Sequence, residues 1–312
     1  MLVNARERPL VVGGAYASAV PSSPPFECVI NVSEGRDRAV LDALAEVAGP
    51  PLVDLHRDVD HHRSVFTLAG DLGVVERAAR RLAAAAVERL DIARHVGVHP
   101  RLGVVDVVPF VALDPKRRKD TIEAARRFAV RLAVDLDVPV FLYGDVSPER
   151  RTLPDVRLRA FADLRPDMGP EQPHPTAGAT AVGVRDVLVA VNCDLDVDNV
   201  PLAKEIARTV RERDGGLPGV RALGLPLPTA GRAQVSMNLV DLARTGLEAA
   251  CTAVRQAAEA RGARVARVEL VGLVPAAELA RCSAQFRSWA ELGADQTIES
   301  RLSRREGRQP RN

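Results

Sequence analysis

Residues 27–70, ECVINVSEGRDRAVLDALAEVAGPPLVDLHRDVDHHRSVFTLAG, decide how this chain is folded. Their hydrophobic period changes from one segment to the next. Glu27–Val32 is a short β-branched run that closes on the turn residues Ser33, Glu34 and Gly35. From Arg36 to Ala48 the apolar residues Val40, Leu41, Leu44 and Val47 recur at helical spacing, and Pro50-Pro51 stops the run. Leu52–Leu55 begins a second strand. The polar segment Arg57–His62 then turns the chain into a third strand, Arg63–Ala69.

Working outward, Leu72–Leu90 predicts a long alanine-rich helix and Val104–Ala112 a fourth strand. Thr121–Leu136 and Val138–Tyr143 add one helix and one strand. The order strand, helix, strand, strand, helix, strand is the split βαβ, or ferredoxin-like, pattern. Ser147–Gly183, rich in Pro and Gly, shows no clear helical or strand period; a long loop of this kind between folded halves is more often functional than accidental. The pattern then recurs. Val187–Cys193, Val220–Leu225, Ala233–Leu239 and Val265–Leu270 read as strands, Val200–Arg213 and Thr245–Arg261 as helices, and Ala276–Ala284 as a short helix after Pro275. The expected fold is therefore α+β, two ferredoxin-like subdomains with a cleft between them. The expected boundaries are a leader over 1–25, a first subdomain over 26–186, a second over 187–300, and a disordered basic tail over 301–312.

The 312 residues suffice for one large or two small cores, and 46% apolar with 27% charged residues is ordinary for a soluble globular chain. A formal charge of +2 gives no global attraction to nucleic acid or membrane. Lysine occurs only at positions 116, 119 and 204, so nearly all positive charge is arginine, the planar fork suited to carboxylates. Cys28, Cys193, Cys251 and Cys282 stand far apart and read as reduced thiols of a cytoplasmic protein. No dinucleotide or P-loop fingerprint is present.

Five of the six histidines fall between positions 56 and 99. Such a cluster suits proton transfer or metal binding; the structural alternative is loop histidines paired with Asp58 and Asp60. His95 and His99 lie in RHVGVHPRLGVVDVVPF, residues 94–110. A metal site there is disfavoured, because Gly97 and Pro100 break helical continuity and no Glu follows His95. His99 stands out: Pro100 restricts its backbone, and Arg101 beside it can fork onto a carboxylate. The segment Asn31–Arg36 closes the first strand, either as a helix cap with Ser33 as the capping oxygen or to deliver Asn31 and Glu34 to a cleft at the strand end.

Taken together, these segments resemble the formiminotransferase domain family, from about Phe26 to about Trp289. The resemblance is carried by ECVINVSEG (27–35), DHHRSVFTLAG (60–70), RHVGVHPRLGVVDVVPF (94–110), VPVFLYG (138–144), RRTLP (150–154), PDMGP (166–170), AGATAVGVRDVLVAVN (177–192), AQVSMNLVD (233–241) and LVGLVP (270–275). It implies transfer of a formimino group from N-formimino-L-glutamate to N5 of tetrahydrofolate, a co-substrate, with no metal. It also implies a cytoplasmic homodimer, acting in histidine degradation or a related one-carbon step, with no nucleic-acid or membrane partner.

Residue by residue, the resemblance implies a catalytic His99. It implies a folate segment of Gly169, Pro170, Glu171, Gln172, Pro173, His174, Pro175, Thr176, Ala177 and Gly178. Arg63, Arg101, Asn31, Glu34, His61, His95 and Asp106 are the substrate-binding candidates. Two positions depart from the family pattern: Val98 replaces a Glu before the catalytic histidine, and Ala177 replaces an aromatic residue before the last Gly. Ile30, where the family usually has Pro, is a milder change. The resemblance implies a monofunctional form, one expected to work without a cyclodeaminase domain. Two other readings stay open, a folate- or pterin-binding homologue that has lost this reaction or transfers to a different acceptor, and a metal-dependent hydrolase.

Overall fold

The computed structural model describes residues 26–306, so the expected leader and the last six residues lie outside the described residues. The first unit begins with strand β1 (Phe26–Val32), helix α1 (Arg38–Ala48), and strands β2 (Leu52–Asp58) and β3 (Arg63–Gly70). Helix α2 (Leu72–Arg89), strand β4 (Val105–Ala112), helix α3 (Arg118–Leu136) and strand β5 (Val140–Gly144) follow. The unit closes with helix α4 (Leu153–Arg159) and strand β6 (Thr180–Arg185). Its sheet runs β2-β3-β1-β4-β6-β5, antiparallel through β4 and parallel from β4 to β5.

The second unit contains β7 (Val189–Leu195), α5 (Val200–Val210), β8 (Val220–Leu227), β9 (Arg232–Leu239), α6 (Leu247–Glu259) and β10 (Val265–Val271). Its sheet order is β10-β7-β9-β8. Both sheets therefore carry the fourth-first-third-second strand order of the split βαβ pattern, the first sheet with two strands added beyond its fourth. Helices α7 (Ala276–Arg281), α8 (Ala284–Trp289) and α9 (Ile298–Glu306) complete the chain.

Periodicity explains most of this. In α2, Val75, Ala78, Ala79, Leu82, Ala83 and Ala86 form one buried stripe, and their small side chains let α1 and α3 flank the helix closely. On β1 and β3, Cys28, Ile30, Phe66 and Leu68 face these helices in one core. Alternation sends Asn31, Thr67 and Ala69 to the opposite face. That second face is covered in two places. Tyr143 and Phe141 pack under Val156 and Phe161 near α4. Ala69 and Val53 pack under Leu273, Ile298 and Leu302 of the second unit.

Three expectations need correction. The stretch 147–183 is not structureless, since it holds α4 and most of β6. Between Thr180 and Arg185, strand β6 is built from Ala, Val and Gly with no polar alternation, so its identity comes from two parallel neighbours rather than its own pattern. A Cβ on Gly183 would stand 2.2 Å from the Tyr143 ring, so a side chain is excluded there. The helix expected over 276–284 is two helices, the second capped by Ser283, whose Oγ accepts from the Phe286 amide at 3.1 Å. The tail expected to be disordered from residue 301 is helical as far as Glu306. Among the described residues no helix is long and apolar enough to cross a membrane.

Candidate active site

The ends of β1, β3 and β4 meet at one edge of the first sheet, where Asn31 faces Val65 on one side and Val107 on the other. Asp106, fully buried on β4, is the centre of the polar cluster there. Its Oδ2 accepts from Arg63 Nη1 at 2.5 Å and from Arg157 Nη2 at 2.6 Å. Its Oδ1 accepts from Arg157 Nη1 at 3.1 Å and from the Leu102 amide at 2.7 Å. Burial pushes this carboxyl up, but the two guanidinium groups outweigh it and hold Asp106 below the usual carboxylate range. Two arginines against one carboxylate leave one net positive charge at this place.

Asn31 orients Arg63, accepting from its Nε at 3.1 Å while Asn31 Nδ2 donates to Val29 O. The Nη2 of Arg63 and the Nε of Arg157 have no protein partner among the described residues.

The loop before β4 lies over this cluster. His99 is half-buried, and its Nδ1 lies 2.7 Å from Pro100 O, an acceptor only. Nδ1 therefore carries the proton, which leaves Nε2 with a lone pair and no protein partner. Burial first, then Arg63 and Arg157, hold His99 well below the usual histidine value. Its ring centre lies 5.7 Å from that of His61, whose Nε2 is buried without a partner. The two imidazoles thus stand side by side above the Arg63–Asp106–Arg157 cluster.

His95 and His99 do not converge. The His95 ring lies 3.9 Å from the His62 ring, its Nε2 donates to His62 O at 2.7 Å, and Arg101 lies against it. Burial and Arg101 push His95 down to about 4. Arg101 spends its other donors within the loop, on Gly97 O at 2.8 Å and His99 O at 3.1 Å. Glu34 serves the start of α1, with Oε1 accepting from the Arg36 and Asp37 amides at 2.6 and 2.9 Å. Burial raises this carboxyl, but those amides and His62, 3.1 Å away, outweigh it and leave Glu34 low. Among the described residues no group of three or more metal-ligating side chains is placed to hold an ion.

The irregular loop 169–178 lies beside the histidine loop. Ile92 N donates to Thr176 O at 2.7 Å, Val104 N to Ala177 O at 2.9 Å, and Ala179 N to Leu102 O at 3.0 Å. His174 turns its own loop back, pairing with Gly178 through both backbone groups and accepting from Ala177 N through Nδ1 at 2.9 Å. Gly103 and Gly178 make this approach possible. A Cβ on Gly178, which has φ +71°, would meet Leu102 O at 2.5 Å, and one on Gly103 would meet Ala177 O at 2.2 Å. Ala177 is buried against the first core, so this departure fills a packing position.

Residues 25–185 match the formiminotransferase domain's N-terminal subdomain, and residues 190–298 match the formiminotransferase domain. This chain belongs to the formiminotransferase family. A glutamate formimidoyltransferase of Streptococcus pyogenes serotype M1 is 39% identical over 268 residues, covering 81% of this chain and 90% of that one. One from Thermoplasma acidophilum is 36% identical, covering 80% and 88%. The formimidoyltransferase-cyclodeaminase of Mus musculus is 34% identical, and the match spans 80% of this chain and 50% of that protein.

Arg157 is the residue that sequence reasoning missed in this formiminotransferase chain. The signal was present in Thr152-Leu153-Pro154-Asp155, a capping box with proline in the first turn. It announces a helix whose next turn carries Arg157 to Asp106. Of the other substrate-binding candidates, the structure brings Arg63, Asp106, Asn31 and His61 to the cluster beneath His99. Glu34, His95 and Arg101 are occupied in building the loops around it.

Proposed function

We propose that the chain transfers the formimino group of N-formimino-L-glutamate to N5 of tetrahydrofolate, with His99 moving the proton. The single observation that supports this most is the His99 imidazole. Its Nδ1 proton is held by Pro100 O and its Nε2 is free, above two arginines that share one carboxylate. Such an imidazole is a base ready at neutral pH.

The N5 lone pair attacks the formimino carbon, and the N5 proton passes to His99 Nε2. The bond from that carbon to the glutamate nitrogen then breaks, and the imidazolium returns its proton to that nitrogen. Glutamate leaves, and His99 is neutral again. The nearby positive charge keeps the imidazolium short-lived, which favours the second transfer. The unpartnered donors of Arg63 and Arg157 suit a carboxylate of the donor substrate. The loop 169–178 is the reading's folate segment, and its backbone ties to residues 92–104 would bring the acceptor beside His99. The reading extends to a cytoplasmic homodimer without a metal.

The test mixes purified protein with formimino-glutamate and tetrahydrofolate and follows glutamate release, with and without a chelator. Folate-dependent release insensitive to chelation is expected. Folate binding without release would overturn the reading in favour of a binding homologue, which Val98, standing where the family has a glutamate, favours. Chelator-sensitive release without folate would favour a hydrolase.

A further inference from the structure

Thr229 of the second unit holds the β2–β3 turn of the first, which in turn bonds the histidine loop. The turn between β8 and β9, Pro228-Thr229-Ala230-Gly231, is tight, with Ala230 N donating to Leu227 O at 3.1 Å. It presents Thr229 to Asp60 of the first unit. Asp60 Oδ1 accepts from the Thr229 amide at 3.0 Å and from its hydroxyl at 2.7 Å. Asp60 is itself buried and stands in a turn fixed by Asp58, whose Oδ1 accepts the Asp60 and His61 amides at 2.8 Å each.

Asp60 also faces the other way. Its carbonyl accepts from the Val98 amide at 3.2 Å, one residue before His99. Around that bond the two loops are layered without slack. His62, at φ +50°, has Nδ1 3.0 Å from Val96 O. A Cβ on Gly97 would stand 2.5 Å from His61 O. A movement of residues 58–62 must therefore carry residues 96–99 with it. At the far end of the β2–β3 hairpin, Val53 and Ala69 are pinned separately to the second unit by Leu273, Ile298 and Leu302. Between the two ends, His56 Nε2 lies 3.8 Å from Glu269 Oε1 of β10, and Asp60 and Thr229 make the contact at the near end.

We propose that Asp60 is a positioning residue: the Thr229 turn of the second unit holds it, and through the Val98 amide it sets the height of His99 above the Arg63–Asp106–Arg157 cluster. The role of His99 here rests on the transfer reaction proposed above, but the coupling does not. Loss of the clamp leaves both cores intact and lets the imidazole drift from the reacting atoms, so turnover falls while substrate binding holds.

The test replaces Thr229, whose side chain is outside both cores, in the full-length protein. Thr229→Val removes the hydroxyl donor and keeps the shape, while Thr229→Ser restores the donor. Three readouts are taken: kcat and KM for formimino-glutamate, hydrogen exchange of the Val98 amide, and the melting temperature. Thr229→Val is expected to speed Val98 exchange at least tenfold and lower kcat about tenfold, with KM within twofold of wild type. Thr229→Ser is expected to restore both. Unchanged Val98 exchange in Thr229→Val overturns the coupling, whatever the activity. Faster exchange with unchanged kcat overturns the positioning role. Equal loss in Thr229→Ser and Thr229→Val overturns it as well, since the hydroxyl would then be irrelevant. A wild-type protein that releases no glutamate refutes the transfer reading instead, and the exchange comparison still decides the coupling.

Discussion

Arg157 closes a bidentate pair with Asp106 from 51 residues away, its Nη1 3.1 Å from Oδ1 and its Nη2 2.6 Å from Oδ2. Asp106 is fully buried, and Arg63 reaches the same Oδ2. The carboxylate therefore holds two cations at a place that would repel a third.

Removing Asp106 strands both guanidinium groups. Asp106→Ala is expected to cost roughly 3–5 kcal/mol in urea unfolding, the usual result of breaking a buried ion pair. Arg157→Ala leaves Arg63 on the carboxylate, so its cost is smaller, about 1–3 kcal/mol. Its larger effect falls on binding. KM for formimino-glutamate should rise by tenfold or more, with kcat less affected, because a carboxylate contact is made equally in ground and transition states. An unchanged KM would remove Arg157 from the substrate site.

His99 dictates the pH dependence. Its folded value lies below 6.5 because burial, Arg63 and Arg157 oppose the imidazolium. The base form is thus complete above 6.5 and is lost only as pH falls through the lowered value. The kcat/KM profile should stay flat from pH 8 to 6.5 and decline below that. His99→Ala should abolish transfer and leave the melting temperature near wild type at pH 8. An acid limb centred above 6.5 would contradict the assignment.

Where a segment carries its own period, its fate was legible from residues 27–70 outward. Helices α1, α2 and α5 each bury one apolar stripe, and the β-branched runs of β1, β3 and β4 mark strands that are buried on both faces. What was not legible depends on partners. Strand β6 is a strand because β4 and β5 bracket it, and Gly183 is there because Tyr143 covers it. Pro100 and Arg101 single out His99 over His95 in the sequence, but not what each ring faces. Only the turn geometry reveals that one faces Arg101 and the other His61. Arg101, beside a histidine and a proline, suggested a carboxylate clamp; the loop's own carbonyls take it instead.

Gly178 tests the contact between the two loops. Its φ of +71° is a left-handed value, and any Cβ would press on Leu102 O. Gly178→Ala is expected to destabilise by about 1–3 kcal/mol through strain and to move Ala177 O away from Val104 N. Tetrahydrofolate affinity, measured by fluorescence titration, should fall at least tenfold. If Gly178→Ala binds folate as wild type does, residues 169–178 do not form the acceptor site.

Glu27 sets the alkaline side of stability, far from the histidines. It is buried on β1 between Ala69 and Val111, and burial, against the opposing pull of Arg185, pushes its carboxyl up to about 7. A folded value raised above the unfolded 4.5 stabilises the protein fully below 4.5, and this contribution is lost as pH rises through about 7. The whole effect is on the order of 3 kcal/mol. The histidines act in the opposite sense: His95, pushed down to about 4, and His99, also lowered, give stability that is present above 6.5 and lost as pH falls. Stability limited from both sides in this way should be greatest in weak acid. Glu27→Gln keeps the shape and removes the ionisation. It should raise the melting temperature at pH 8 and flatten the decline between pH 5 and 8, with little change at pH 4.5. Equal slopes for wild type and Glu27→Gln over that range would show that Glu27 ionises as readily in the folded chain as in the unfolded one.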